Sequence, residues 1–179
     1  MTYKWTYKTP DGFSDMLMNS DGEYLTGLWF DGSRDAAKHT TECEKQLLPV
    51  FEDTVKWLNI YFAGHNPDFT PKYKIKDITN FRKEVMEYML AIPYGETVTY
   101  GDIAANIAKK RGISKMSSRA VGGVVGWNPI CIIVPCHRVV GTNHSLTGYG
   151  GGLNNKISLL KLEQNDMSKF VIPRKGTAL

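Results

Sequence analysis

Cysteine is scarce. The three in this 179-residue chain, at positions 43, 131 and 136, are too few and too irregularly spaced for a disulfide framework. That excludes a disulfide-stapled secreted scaffold, and a reactive free thiol requires a reducing compartment. No apolar run approaches the roughly 20 residues of a membrane span, and Met1 to Pro10 lacks the apolar stretch of a secretory signal. A cytoplasmic protein with no membrane partner is expected. Histidine is also sparse. His39 and Cys43 lie four apart and could share a helix face, with His65 a conceivable third ligand. Two ligands without a clear third and fourth do not build a zinc site, so no metal and no cofactor are expected. Finally, acid is missing from one long stretch. From Val98 to Val140 the basic side chains are Lys109, Lys110, Arg111, Lys115, Arg119 and Arg138, against the single acid Asp102. The stretch carries +5 and the rest of the +4 chain sums to −1. Charge runs often only solvate a helix face. Concentrated on a segment that also carries a reactive group, they favour a polyanionic partner.

What is present reads as an ordinary globular chain, 42% apolar and 22% charged, long enough for one domain or two small ones. Tyr3–Tyr7, Phe13–Met18 and Tyr24–Phe30 read as strands, the last two joined through Asp21-Gly22, a hairpin signal. Thr40 to Phe62 carries a helical stripe of Leu47, Leu48, Phe51, Val55, Leu58 and Phe62, which Pro49 should kink or divide. Ala63 to Lys76, with Gly64, Asn66-Pro67 and Pro71, has loop composition, which places a boundary near residue 77. Phe81, Val85, Met89 and Ile92 make a further helical stripe that ends before Pro93. Thr99 and Asp102 resemble a capping box for a helix to Lys110 that Gly112 ends. Ser117 or Ser118 then caps a helix over Arg119–Val125 that Gly126 stops. Helix, turn, helix on a basic segment is a DNA-binding unit.

In the second of those helices, Val121, Val124 and Val125 form the apolar face. Arg119, Gly122, Gly123 and Gly126 fall on another. Each interior glycine costs about 1 kcal/mol relative to alanine, so the pair requires a close approach, either by another helix or by a DNA groove. After Val140, Gly141 to Ser145 is a turn and Thr147 to Gly152 a glycine-rich loop. Asn154 or Asn155 should cap a last helix ending at Glu163.

One stretch organises the rest: Ile130-Cys131-Ile132-Ile133-Val134-Pro135-Cys136-His137-Arg138-Val139-Val140. The β-branched run reads as a buried strand that stops at Pro135, where the chain turns. Cys131 inside the run fits a packing role. Cys136, outside it and followed by His137 and Arg138, has the neighbours that hold a thiol as the nucleophilic thiolate. On a straight strand Cys136 and His137 would point to opposite faces, so they can cooperate only across a bend or through a water.

Pro135-Cys136-His137-Arg138-Val139-Val140, with Asn128-Pro129 before it and Gly148-Tyr149-Gly150-Gly151-Gly152-Leu153 after it, resembles the O6-alkylguanine-DNA alkyltransferase family, also called methylated-DNA–protein-cysteine methyltransferases. The resemblance is close from about Phe81 to Glu163 and loose before. It implies an α+β fold in two parts. Residues 1–77 would form a small ribonuclease-H-like α/β support domain with a three-stranded antiparallel sheet. Residues 78–179 would form a mainly helical winged helix-turn-helix domain. It also implies direct repair of O6-alkylguanine, and of O4-alkylthymine, in double-stranded DNA by a monomer. The alkyl group would pass irreversibly to Cys136, one turnover per molecule, from a base flipped out through the minor groove.

By the same resemblance His137 takes the thiol proton through a water, Glu163 orients the imidazole, Asn128 braces the turn, and Tyr100 gives a proton to the departing purine. Arg119 fills the space the base vacates, with Ser118, Gly122, Gly123 and Tyr100 against the DNA. Tyr149, Gly150, Val139 and Pro135 line the base pocket, with the carbonyls of Cys136 and Val139 accepting from the base's amino group. Some members carry zinc in the first domain, but no matching ligand set is found here. Gly150 departs from members with a serine there, which leaves only its backbone N–H to meet the base. Two other readings stay open: a non-catalytic protein that recognises alkylated DNA, and a thiol hydrolase using Cys, His and acid.

Overall fold

A computed structural model describes residues 1–33 and 42–173. The N-terminal strands β1 (Tyr3–Tyr7), β2 (Met16–Ser20) and β3 (Leu25–Phe30) form an antiparallel meander. A short β4 (Glu44–Lys45) adds in parallel to β1, giving the order β3-β2-β1-β4. The sheet therefore has four strands where three were expected. Glu44–Lys45 carries no apolar alternation to announce a strand, and both residues are exposed. The outer edge of β3 is covered rather than left as a template for aggregation. Leu25 exchanges backbone bonds with Lys72 and Lys74, and Leu28 with Pro129 and Cys131, each at 2.9 Å. The second pair fastens the segment before Cys136 to the N-terminal sheet.

Helix α1 (Pro49–Phe62) begins where a kink was expected. Proline at the first helical position needs no hydrogen-bond donor and has a suitable φ, so Pro49 starts the helix instead of dividing it. Its buried face is Val50, Phe51, Thr54, Trp57, Leu58, Tyr61 and Phe62, a stripe at three- and four-residue spacing. His39 lies outside the described residues. Among those residues no group of three or more His, Cys, Asp or Glu side chains could hold a metal ion, and no helix is long and apolar enough to cross a membrane.

Helices α2 (Asn80–Leu90), α3 (Tyr100–Arg111) and α4 (Ser118–Val125) pack on one another. Their ends follow local chemistry. Thr79 caps α2, Thr99 and Asp102 form a reciprocal capping box on α3, and Ser117 caps α4. Gly112 ends α3 in the left-handed region with φ 64°. A short β5 (Val98–Thr99) pairs in parallel with β6 (Val139–Val140), and α5 (Leu153–Leu162) closes the fold. One buried cluster runs from Tyr7, Met16 and Phe51 through Val85, Ile107 and Val124 to Ile130, Cys136 and Leu159, joining both parts of the chain.

The buried run Ile130–Val134 is not a strand. Only single bridges form, Leu28 to Ile130 and Cys131 to Val134, with Ile132 at φ 70° between them. A β-branched residue there is strained, and the Ile133 N–H donates back to the Cys131 carbonyl at 2.9 Å. The segment is hydrophobic because it is buried, and periodicity cannot distinguish that from a strand.

Candidate active site

Pro135, with φ −81° and ψ 63°, makes an inverse γ-turn closed by the Cys136 N–H to the Val134 carbonyl at 2.8 Å. Cys136-His137-Arg138 follows as a single 3₁₀ turn, all three buried. This bend lets neighbouring side chains serve one site. Asn128 braces it: its amide nitrogen donates to the Val134 carbonyl at 2.8 Å and to Cys136 Sγ at 3.0 Å, and its oxygen accepts from the Ile130 N–H at 3.1 Å. A hydrogen bond with Cys131 and the one from Asn128, aided by the Lys156 charge, lower the Cys136 pKa against the opposing effect of burial.

His137 Nε2 lies 2.8 Å from Glu163 Oε1. An ionised carboxylate only accepts, so Nε2 carries the proton and Nδ1 holds the lone pair. That Nδ1 is buried without a partner. Burial lowers the imidazole pKa more than Glu163 raises it, which favours the neutral base. Burial would raise the Glu163 pKa, but the hydrogen bonds and charges of His137 and Arg138 hold it well below the usual carboxylate range.

Tyr61 and Lys156 carry no local signal in the sequence, and Arg138, expected to act on the thiol, serves Glu163 instead. Arg138 is buried. Its Nε donates to Glu163 Oε2 at 2.9 Å, its Nη2 to Oε1 at 2.9 Å and its Nη1 to the Ile92 carbonyl at 2.8 Å. Tyr61, from α1 in the first part of the chain, donates to Glu163 Oε1 at 2.7 Å and lies 3.3 Å from His137 Nε2. The first part therefore contributes directly to the site. Lys156 is fully buried and donates to the Val139 carbonyl at 2.7 Å and the Thr147 carbonyl at 3.3 Å. Burial pulls its pKa down to about 8, against the opposing pull of the Cys136 charge. A lysine at i+3 from the start of an amphipathic helix reads as exposed, so nothing in the sequence marked it. Neither asparagine caps α5, whose N-cap is Gly152. Asn155 instead ties the two parts together by accepting from the Ser14 N–H at 3.1 Å.

Of the base-pocket candidates, Tyr149 and Gly150 line an enclosed cavity of about 10 Å³ together with Trp29, Asn128, Cys131 and Cys136. That is room for about one water. Pro135 and Val139 do not line this cavity and flank the Cys136–Arg138 turn. The Cys136 carbonyl accepts from the Val139 N–H, and the Val139 carbonyl from Lys156, which leaves each one lone pair for another donor. Tyr149 is buried with its hydroxyl unpartnered. Gly151 is required beside it, since a Cβ there would sit 2.6 Å from the Tyr149 ring and 2.9 Å from Phe30.

All the DNA-binding candidates line a second, open cleft of about 830 Å³: Tyr100, Ser118, Arg119, Gly122 and Gly123, together with Gly148. Tyr100 lines the open cleft and feels the Cys136 charge. Its hydroxyl donates to the Thr147 carbonyl at 3.1 Å, and burial and the Cys136 charge raise its pKa, so it remains a protonated phenol. Helix packing does not explain the α4 glycines. A Cβ on Gly123 would meet nothing within 4 Å, and one on Gly122 only the Tyr100 ring at 3.8 Å. The basic footprint is smaller than the count suggested. Arg138 is buried against Glu163, and Lys110 and Arg111 pair with Glu84 and Glu87 of α2. Lys109, Lys115 and Arg119 remain exposed.

Residues 80–165 match the family model described as the 6-O-methylguanine DNA methyltransferase, DNA binding domain. A methylated-DNA–protein-cysteine methyltransferase of Haemophilus influenzae is 37% identical over 162 residues, covering 90% of this chain and 86% of the relative. One from Mycobacterium tuberculosis is 47% identical over 116 residues, 65% of this chain and 67% of the relative. The crystal structure of the M. tuberculosis O6-methylguanine methyltransferase superposes with a TM-score of 0.74 at 36% identity, covering 98% of this chain and 97% of that one. The M. tuberculosis protein in complex with DNA gives 0.74 at 36%, covering 94% of each.

Proposed function

This chain belongs to the O6-methylguanine-DNA methyltransferase family, and from that premise we propose that Cys136 is its alkyl acceptor, served by the His137–Glu163 pair and by a base pocket that the 147–152 loop closes. The protein is a DNA-repair methyltransferase whose partner is DNA bearing O6-alkylguanine. The observation that carries the residue assignment is the buried chain of contacts from Asn128 to Cys136 Sγ and from His137 to Glu163, with His137 Nδ1 left as a lone pair.

In this reading Nδ1 takes the thiol proton through a water. The thiolate attacks the alkyl carbon in line, an S–C bond forms, and the C–O6 bond breaks with its electrons passing to the purine. Tyr100 gives its proton to the departing guanine, and solvent restores the balance between imidazolium and tyrosinate. Consuming the thiolate removes a charge that raises the Tyr100 pKa, so the phenol becomes a better donor as the reaction proceeds. A thioether is not readily hydrolysed, so each molecule acts once.

A cavity with room for one water cannot hold a guanine, so base entry requires the Tyr100–Thr147 bond to open and the loop to move. Arg119 enters the duplex from α4, with Ser118, Gly122 and Gly123 against the groove. The finer architecture we propose is a ribonuclease-H-like first part, residues 1–77, and a winged helix-turn-helix second part, residues 78–179, in a cytoplasmic protein. O4-alkylthymine is a second proposed substrate. The test is intact-protein mass after mixing with a duplex carrying one O6-methylguanine. One methyl per molecule, absent in Cys136→Ala, is expected; methylation of another residue refutes the assignment.

A further inference from the structure

Among the described residues, three buried polar side-chain atoms have no hydrogen-bond partner: His137 Nδ1, Tyr149 Oη and Ser33 Oγ. The mechanism uses the first, and the second belongs to the base-pocket wall. Ser33 lies outside the part of the chain that carries the chemistry. It follows β3 in a tight turn, where its N–H donates to the Phe30 carbonyl at 3.2 Å and Gly32 takes φ 74°. The Asp31 N–H anchors the same turn to the Asp15 carbonyl at 2.7 Å. The turn brings Ser33 to the wall of the enclosed cavity that Cys136, Tyr149 and Gly150 also line. A buried hydroxyl left unpaired is costly, so its position there requires a compensating reason. Gly150, which also lines this cavity, supplies no hydroxyl to it.

We propose that Ser33 is a base-contacting residue, its hydroxyl donating to the O6/N7 edge of the flipped guanine. This rests on the alkyl-transfer reading of Cys136. The alkyl group must reach Cys136 Sγ, so the O6 edge of the purine is the one that enters this cavity. That edge offers the acceptors O6 and N7, which suit a hydroxyl donor. As the C–O6 bond breaks, negative charge builds on the purine, so a donor aimed at that edge strengthens in the transition state. Ser33 therefore contributes more to the rate of transfer than to the affinity for DNA.

The experiment compares Ser33→Ala with the wild type in single-turnover methyl transfer at saturating duplex carrying O6-methylguanine. Affinity for the same duplex is measured in the Cys136→Ala background with and without Ser33→Ala, and thermal midpoints are recorded for both proteins. The expected result is a maximal rate about tenfold lower, the effect of one hydrogen bond, with affinity unchanged and a midpoint no lower than the parent's, since the substitution removes an unpaired buried hydroxyl. A wild-type rate in Ser33→Ala overturns the proposal, as does a slower rate that tracks weakened binding or a lowered midpoint. Failure of the wild type itself to become methylated at Cys136 would instead strike the reading beneath it.

Discussion

Gly123 sits inside α4, exposed, with no atom within 4 Å of where its Cβ would stand and no positive φ to forbid a side chain. Alanine at that position therefore meets no clash and needs no backbone change. It should gain the helix-propensity difference of about 1 kcal/mol, which for a domain of this size corresponds to about 2–4 °C in Tm. Binding should move the other way. If α4 lies in a DNA groove, the added methyl stands between helix and duplex, and overpacking a tight contact costs about 1–3 kcal/mol. That is about tenfold or more in Kd. Thermal unfolding and fluorescence anisotropy on a labelled duplex, both in the Cys136→Ala background, read the two effects separately. A Gly123→Ala protein that binds DNA as tightly as its parent would refute the placement of α4 in the groove. One that is destabilised would refute the account of why glycine is there.

Tyr61→Phe removes a 2.7 Å hydrogen bond to a carboxylate and should cost about 2 kcal/mol, in the range for bonds to charged groups. With one donor fewer, Glu163 becomes a stronger acceptor for His137, the imidazole pKa rises, and the low-pH limb of the transfer rate moves to higher pH. An unchanged urea midpoint and pH profile would exclude Tyr61 from the network. Lys156→Met removes a positive charge that lowers the Cys136 pKa. The thiolate limb of the pH–rate curve should then shift to higher pH, as followed by thiol alkylation rates, and a shift downward would contradict this. Arg119→Ala should weaken binding to the alkylated duplex while leaving its salt dependence nearly unchanged, because the side chain enters the base stack and does not neutralise a phosphate; a slope flattened by about one counterion would place it on the phosphate backbone instead. In acid, Glu163 is ionised in the fold below its unfolded pKa of about 4.3. Its contribution is thus complete above that pH and lost as pH falls towards the depressed folded value. A Glu163→Gln variant should show a shallower acid unfolding curve, measured by circular dichroism.

Features set by a few adjacent residues were legible in the chain. The Thr99–Asp102 capping box, the Ser117 cap and the left-handed Gly112 each depend on local hydrogen bonds and backbone geometry, and each is found where it was expected. The turn at Cys136 was legible for the same reason, because Pro135 breaks the chain immediately before it. The departures arise where burial overrides local pattern. Pro49 reads as a breaker until its position at the start of a helix makes its missing N–H harmless. Ile130–Val134 has strand composition, but its partners across β3 permit only single bridges.

The sequence by itself determined the helix ends, the turn that carries Cys136 and the resemblance from which its reaction is proposed, because those depend on neighbours along the chain. Only the tertiary structure decided which distant groups surround Cys136 and Glu163. Tyr61, Ser33 and Lys156 carry no local mark, and Arg138 looked like part of the DNA-facing charge until it was found buried against Glu163. Charge, burial and hydrogen-bond partnership belong to contacts between residues far apart in the chain, and the folded arrangement alone fixes those contacts.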